Sequence, residues 1–332
     1  MYITTGEADP AASPVSHPDD RKRGLSVAQQ TAVRIRNQRL HRRSTFDFLC
    51  TLPALAFFAL FTYYPIIELF RISLTDWNLS RSTYEYVGLK NYEWLFAGRG
   101  WSSFLSSLQI TAIYTLGEVA ITLVGGLLLA LLFNRMNRWF STMRVSLVMT
   151  RYLLVSSTAL VFMWLYNDLY GVINYILSLL GLNGLNWLGK KDTALISLVL
   201  FSGWRTVGYS MLIYLSAMRN ISSQYLEAAA IDGANGFKQL IHIQLPLLAP
   251  TTLFLIVTTV VSSMKVFQAV DILTGGGPYK STMVLVYQVY QLAFVEHRLD
   301  RASAVGCVFF VLLLIFTAVT MKWSNNKVSY DA

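Results

Sequence analysis

Three polar residues, Lys265, Gln268 and Asp271, recur at intervals of three inside a long apolar run. On one helix that spacing makes a slanted polar stripe. Ionisable groups are costly in hydrocarbon and face either a protein interior or a water-filled path. Glu118, Arg151 and Arg205, each inside another apolar run, therefore join the stripe as candidates, with Asn167 and Asp168 at the end of one run. The chemistry they offer is noncovalent: hydrogen bonds and charge along a path for a polar solute. An internal ion pair or a contact with a partner subunit is the competing account, and Arg151 lies close enough to the end of its run to snorkel. Tyr63, Tyr64, Trp164, Tyr166 and Trp204 suit interfacial belts as well as ring stacking. No nucleophile, base and orienting group form the set that a membrane enzyme needs. Cys50 and Cys307 fall inside runs and read as small packing residues. The four His residues, at 17, 41, 242 and 297, have no companion at ligand spacing, so no metal site is expected.

A second group lies between two apolar runs. Glu227 to Pro246 reads EAAAIDGANGFKQLIHIQLP. Ala228, Ala229 and Ala230 allow another surface to come close, Gly233 supplies a permissive turn, and Pro246 interrupts helical hydrogen bonding. This predicts a polar-to-amphipathic helical hairpin, a docking element with Leu245 and Pro246 at its exit. Further on, Gly275, Gly276, Gly277 and Pro278 predict a tight turn at the outer end of the fifth run, either facing a partner or gate or serving as an ordinary loop. Gly184 to Lys191, GLNWLGKK, matches a phosphate loop through its lysine, yet Lys191 stands where Ser or Thr would hold magnesium and no strand precedes it. No nucleotide site is expected.

Membrane helices must position these groups. Charged residues make up 14% of the chain, against about a quarter in soluble domains, and hydrophobic residues 54%. The apolar residues lie in about six runs long enough to cross a bilayer: Phe46 to Leu74, Leu105 to Phe133, Val145 to Asn167, Ala194 to Met218, Leu248 to Leu273 and Ala302 to Met321. In hydrocarbon each must satisfy its own backbone, so the expected fold is all-α and polytopic. Two shorter pieces, Tyr170 to Leu182 and Ser281 to Phe294, read as interfacial or partly inserted helices.

Orientation follows from the basic residues. Arg21, Lys22, Arg23, Arg34, Arg36, Arg39, Arg42 and Arg43 precede the first run, and Arg135, Arg138 and Arg144 stand in the second connection without an acid. Both segments are expected inside, with both termini, and the connection 219–247 falls on the same side. Residues 1–44 read as a flexible basic cytoplasmic extension without the apolar core of a cleavable signal, 45–323 as the transmembrane domain, and 324–332 as a cytoplasmic tail. The net charge of +9 is concentrated near the start with no interleaved aromatics. Attraction to anionic lipid explains it better than a nucleic acid does.

The Glu227 to Pro246 pattern resembles the coupling motif of ABC-importer permeases. Val266 to Phe294, VFQAVDILTGGGPYKSTMVLVYQVYQLAF, and Ser73 to Phe96, SLTDWNLSRSTYEYVGLKNYEWLF, are similar to the sugar-permease branch of type I ABC importers. The resemblance covers about Phe46 to Trp323. It implies a coupling helix between the fourth and fifth spans, a second related permease, two cytoplasmic ATPase subunits that carry ATP and Mg, and a periplasmic or lipid-anchored binding protein. No cofactor is expected on this chain, and its location is the bacterial cytoplasmic membrane. The implied solute is a carbohydrate or polyol moved by alternating access. An acidic variant such as a uronate chain is suggested by Lys265, Arg205 and Arg151 together. An ion-driven secondary carrier is the alternative, although no internal repeat is evident.

Overall fold

The computed structural model describes residues 48, 50–81, 83–134 and 138–327. The expected N-terminal extension and its basic cluster lie outside the described residues, as do Arg135 and the end of the tail. The chain divides at Ile67, inside its first helix, into a unit 1–67 and a unit 68–332. The first unit's described part is a helical stretch whose apolar side chains, such as Phe57 and Phe61, are exposed.

The elements are α1 (Cys50–Ser73), α2 (Lys90–Phe96), α3 (Gly100–Leu132), α4 (Arg138–Tyr152), α5 (Val155–Leu165) and α6 (Val172–Leu179). They continue with α7 (Lys191–Arg219), α8 (Ser223–Ile231), α9 (Gly236–Leu247), α10 (Ala249–Ser263), α11 (Gln268–Leu273), α12 (Leu285–Val295) and α13 (Leu299–Lys327). Among the described residues, α1, α3, α7 and α13 are long and apolar enough to cross a membrane, and the bent pairs α4–α5 and α9–α10 raise the number to six. The short helices α6 and α12 occupy the two segments expected to be short of a full span.

Two of the expected continuous spans are interrupted. The third breaks at Leu153 and Leu154, where α4 and α5 meet at 105°. The fifth begins with a 63° bend after Leu247, and α10 then stops at Ser263, before the expected end at Leu273. Ser262 Oγ donates to the Thr258 and Thr259 carbonyls and Ser263 Oγ to that of Val260. Such back-bonds compete with the main-chain ladder. The chain turns through Met264 to Phe267 before α11 starts. Lys265 therefore lies in a turn, and the expected single-helix stripe does not form: only Gln268 and Asp271 share a helix.

Proline leaves a different mark. A wide π-turn covers Ala59–Tyr63 ahead of Pro65, and another covers Leu240–Gln244 ahead of Pro246. Proline lacks the amide hydrogen and its ring crowds the carbonyl four residues back. In both cases that carbonyl, on Phe61 or His242, falls inside the widened turn, so the helix continues. Pro246 thus stands within α9, and the exit bend follows at Leu248.

Close helix approach organises the centre. Gly117 faces Val199, Gly126 faces Ser210 and Gly203 faces Ile121 along the seam of α3 with α7. At Gly208 an added Cβ would collide with the Leu147 carbonyl, so α4 and α7 touch backbone to backbone. Around this seam one apolar cluster gathers Tyr114, Ala159, Phe201 and Tyr287, and a second gathers Ala130, Met211, Tyr214 and Leu255. A third joins Leu95, Phe104, Leu285 and Val305. Cys307 is buried and Cys50 is exposed. Between α1 and α2, Asn91 Nδ2 donates to the Ser73 and Thr75 carbonyls, at 2.9 and 2.7 Å, and ties down the connection.

Candidate functional site

The breaks in the third and fifth spans open on one cavity of about 520 Å³. Tyr114 and Glu118 reach it from α3, Arg151 and Val155 from either side of the α4–α5 break, and Ser202, Arg205 and Thr206 from α7. Ser262, Lys265, Phe267 and Gln268 line it from the α10–α11 break. Arg205, Lys265, Gln268, Arg151 and Glu118 thus line one cavity. Asp271 is exposed on α11 and does not line the cavity.

The break at Leu153 and Leu154 leaves carbonyls without helical partners. Arg205 supplies them: its Nη2 donates to the carbonyls of Leu153 at 3.0 Å and Arg151 at 3.3 Å. The guanidinium of Arg151 sits 4.2 Å from the Tyr209 ring centroid, and that of Arg205 sits 5.9 Å from the Phe201 ring. Glu118 is only 5% exposed. Tyr114 Oη donates to Ser202 Oγ at 2.6 Å, and the Thr122 and Thr206 hydroxyls meet at 2.9 Å. The site therefore combines cationic groups, one buried carboxyl group and several hydroxyls, a noncovalent binding chemistry.

Sequence reasoning missed Tyr114, Ser202, Thr206 and Ser262. A signal was present: Tyr114 with Glu118, and Ser202 with Thr206, are four residues apart and share helix faces. Hydroxyl groups alone, however, are ordinary in membrane helices and do not mark a cavity.

The hairpin forms over Ser223 to Leu247. Ser222 Oγ accepts from the Gln224 amide at the start of α8, and Asn235 Oδ1 accepts from the Lys238 amide at 3.0 Å at the start of α9. Between them Gly233 has φ +79°, its amide donates to the Ala230 carbonyl, and the Ala234 amide donates to that of Ala229. This pair of bonds closes α8 with a left-handed residue at the position that glycine favours. Gln239 Nε2 donates to the Leu226 and Ala234 carbonyls, at 3.3 and 3.1 Å, and locks the two helices. Glu227 and Ala228 are exposed and Ala229 is buried, while no heavy atom stands near the open side of Gly233. Leu245 and Pro246 are exposed at the end of α9. Ile231 and Phe237 at the tip are 88% and 69% exposed, an unfilled apolar face.

After α11, Gly275 and Gly276 take φ of +56° and +78°, and Thr282 Oγ1 donates to the Gly277 carbonyl at 2.7 Å. The expected tight turn is formed, and Gly276 packs on the Tyr287 ring, where a Cβ would approach to 2.8 Å. The phosphate-loop-like segment is held by its own neighbours: Asn186 Oδ1 accepts from the Gly189 amide, and Trp187 Nε1 donates to Asn174 Oδ1. Among the described residues, no group of three His, Cys, Asp or Glu is placed to hold a metal.

Residues 122–330 match the model of the family described as "Binding-protein-dependent transport system inner membrane component". The probable ABC transporter permease protein YurN of Bacillus subtilis is 31% identical over 288 residues, 86% of this chain and 97% of that protein. The trehalose/maltose transport system permease protein MalF of Thermococcus litoralis is 30% identical over 285 residues, 85% of this chain and 94% of that protein. A bacterial ABC transporter involved in the import of the acidic polysaccharide alginate shares the fold. The alignment has a TM-score of 0.75 at 21% identity and covers 87% of this chain and 98% of that one. These matches leave the ion-driven carrier without support. This chain belongs to the binding-protein-dependent transport system inner membrane component family and is a permease subunit of an ABC transporter, not itself the ATPase.

Proposed function

We propose that the chain is one of two membrane halves of an ATP-driven importer that moves a carbohydrate or related polyol into the cytoplasm by alternating access. The observation that carries this reading is the α8–α9 hairpin: rigidly capped, set between membrane helices, and bare on its apolar face. A partner of complementary shape is needed to cover Ile231 and Phe237. In this reading the partner is an ATPase subunit. Glu227 makes the polar contact, Ala228 and Gly233 allow close seating, and Leu245 and Pro246 carry the displacement into α10; Ala229, expected at the same contact, is buried and offers the partner no surface. Closure of two ATPase subunits around ATP and Mg would then shift helices that have two arrangements.

The positive-inside pattern supports a cytoplasmic location for this hairpin and for both termini. Gly275 to Pro278 then lies on the outer side, within reach of a periplasmic or lipid-anchored binding protein. The carbohydrate assignment is supported by named relatives: MalF, and the sn-glycerol-3-phosphate permease UgpA of Yersinia enterocolitica, 30% identical over 289 residues. The hydroxyl-lined cavity suits such a solute.

The assembly with a second permease, two ATPase subunits and the binding protein should be isolated in mild detergent and reconstituted. Solute-loaded binding protein is expected to stimulate ATP hydrolysis and uptake. Glu227→Leu is expected to lower both while leaving membrane insertion intact. Uptake that persists without ATPase subunits, driven by an ion gradient, would sink the reading.

A further inference from the structure

The cavity between the two helix breaks is unbalanced in charge. Arg151, Arg205 and Lys265 line it against Glu118 alone. Three cations against one carboxyl group give the cavity a net positive potential, which favours an anionic guest. The Arg71–Glu68 and Arg298–Asp300 ion pairs lie elsewhere, and Asp271, the nearest acid in sequence to Lys265, does not line the cavity.

Arg205 gives a second, independent indication. Its Nη2 is committed to the Arg151 and Leu153 carbonyls, whereas its Nε is buried without a hydrogen-bond partner. A guanidinium anchored through Nη2 is held in a fixed orientation in the cavity wall, where its charge favours an oxyanion. Arg151 is held in place over Tyr209. Lys265, on the exposed turn between α10 and α11, adds an ammonium group from the other break. Ser262 and Gln268 beside it offer hydrogen bonds of the kind that hydroxyl groups use.

We propose that the solute conducted by this chain carries an anionic oxygen group, a carboxylate or a phosphate on a polyhydroxylated body, and that Arg205 and Lys265 bind that group in the cavity. The inference rests on the importer reading above and adds the charge of the cargo. Arg205 holds the anion and the α4–α5 break at once, while Lys265 tunes affinity without holding any helix end.

Two measurements on the assembled importer test it. In a chain carrying Cys50→Ala, Cys307→Ala and Ser262→Cys, the cavity thiol is expected to react faster with an anionic methanethiosulfonate than with a cationic one. Adding Lys265→Gln should cut that ratio about tenfold, the effect of one unit charge at short range in a partly hydrated site. A ratio unchanged by Lys265→Gln overturns the proposal. In proteoliposomes with ATP and the binding protein, a uronate oligosaccharide, a phosphorylated polyol and a neutral oligosaccharide are compared. Uptake of either anionic compound, with KM raised by Lys265→Gln and thermal stability unchanged, supports the proposal and tells carboxylate from phosphate. Uptake of the neutral compound alone overturns it and leaves the importer reading standing. Uptake of none by an assembly that hydrolyses ATP overturns the proposal in the same way.

Discussion

The α8–α9 hairpin and the cavity beside α7 are built by opposite means. The hairpin is closed by neighbours in sequence: Ser222, Gly233 and Asn235 each act within a few residues of themselves. The cavity depends on residues far apart, with Arg205 reaching 52 positions back to Leu153 and Tyr114 reaching 88 forward to Ser202. One is a self-contained plug whose working face is left empty. The other is a meeting of interrupted rods that exists only once they have packed. A locally folded plug can be displaced as a rigid piece, whereas a cavity made by packing changes shape when any wall moves.

Substitutions can break or sharpen this contrast. Gly208→Val should have the largest effect, because any Cβ there collides with the Leu147 backbone. A loss of about 3 kcal/mol or more is expected, read as a fall in the monodisperse, folded fraction in detergent. Arg205→Lys keeps the charge but loses the planar fork that serves two carbonyls. About 2 kcal/mol should be lost as those carbonyls go unpaired, seen as a lower melting temperature together with weaker uptake. Retention of both by the lysine variant would show that the break does not depend on the guanidinium. Gly233→Val forces a branched side chain into left-handed backbone at about 1.5 kcal/mol. Solute-stimulated ATP hydrolysis should fall while the cavity thiol of Ser262→Cys keeps its reactivity. The smallest change is expected for Asn235→Ala, about 1 kcal/mol of cap energy. It should appear as faster amide exchange over Gly236 to Gln239 with uptake nearly unchanged.

The same contrast decides what could be read from the residues alone. The hairpin was legible because its signals are local, a glycine at the turn and small residues on one helix. The spans were legible because hydrocarbon demands long apolar runs. The helix breaks were not, since neither Leu153–Leu154 nor Met264–Phe267 contains a proline or glycine. The first is held by an arginine on another helix, and the second carries no breaker residue of its own. Lys265, Gln268 and Arg205 were legible as candidates because charge and amide groups stand out in apolar sequence. That Lys265 leaves the helix, and Asp271 the cavity, follows from a break that periodicity does not carry.

The wide turn ahead of Pro246 has a mechanical corollary. A π-turn houses one residue more than its neighbours, so it is a parcel of spare length held inside an otherwise regular coil. Were that parcel to slip one position, everything beyond it would swivel by about 100°, the angle of a single residue, with no hydrogen-bonded turn melted. Proline pins the parcel where α9 meets α10 and sets a preferred clock position for the joint. A thrust arriving along the hairpin thus has two ways to be expressed, as tilt at Leu248 or as torsion through the coil.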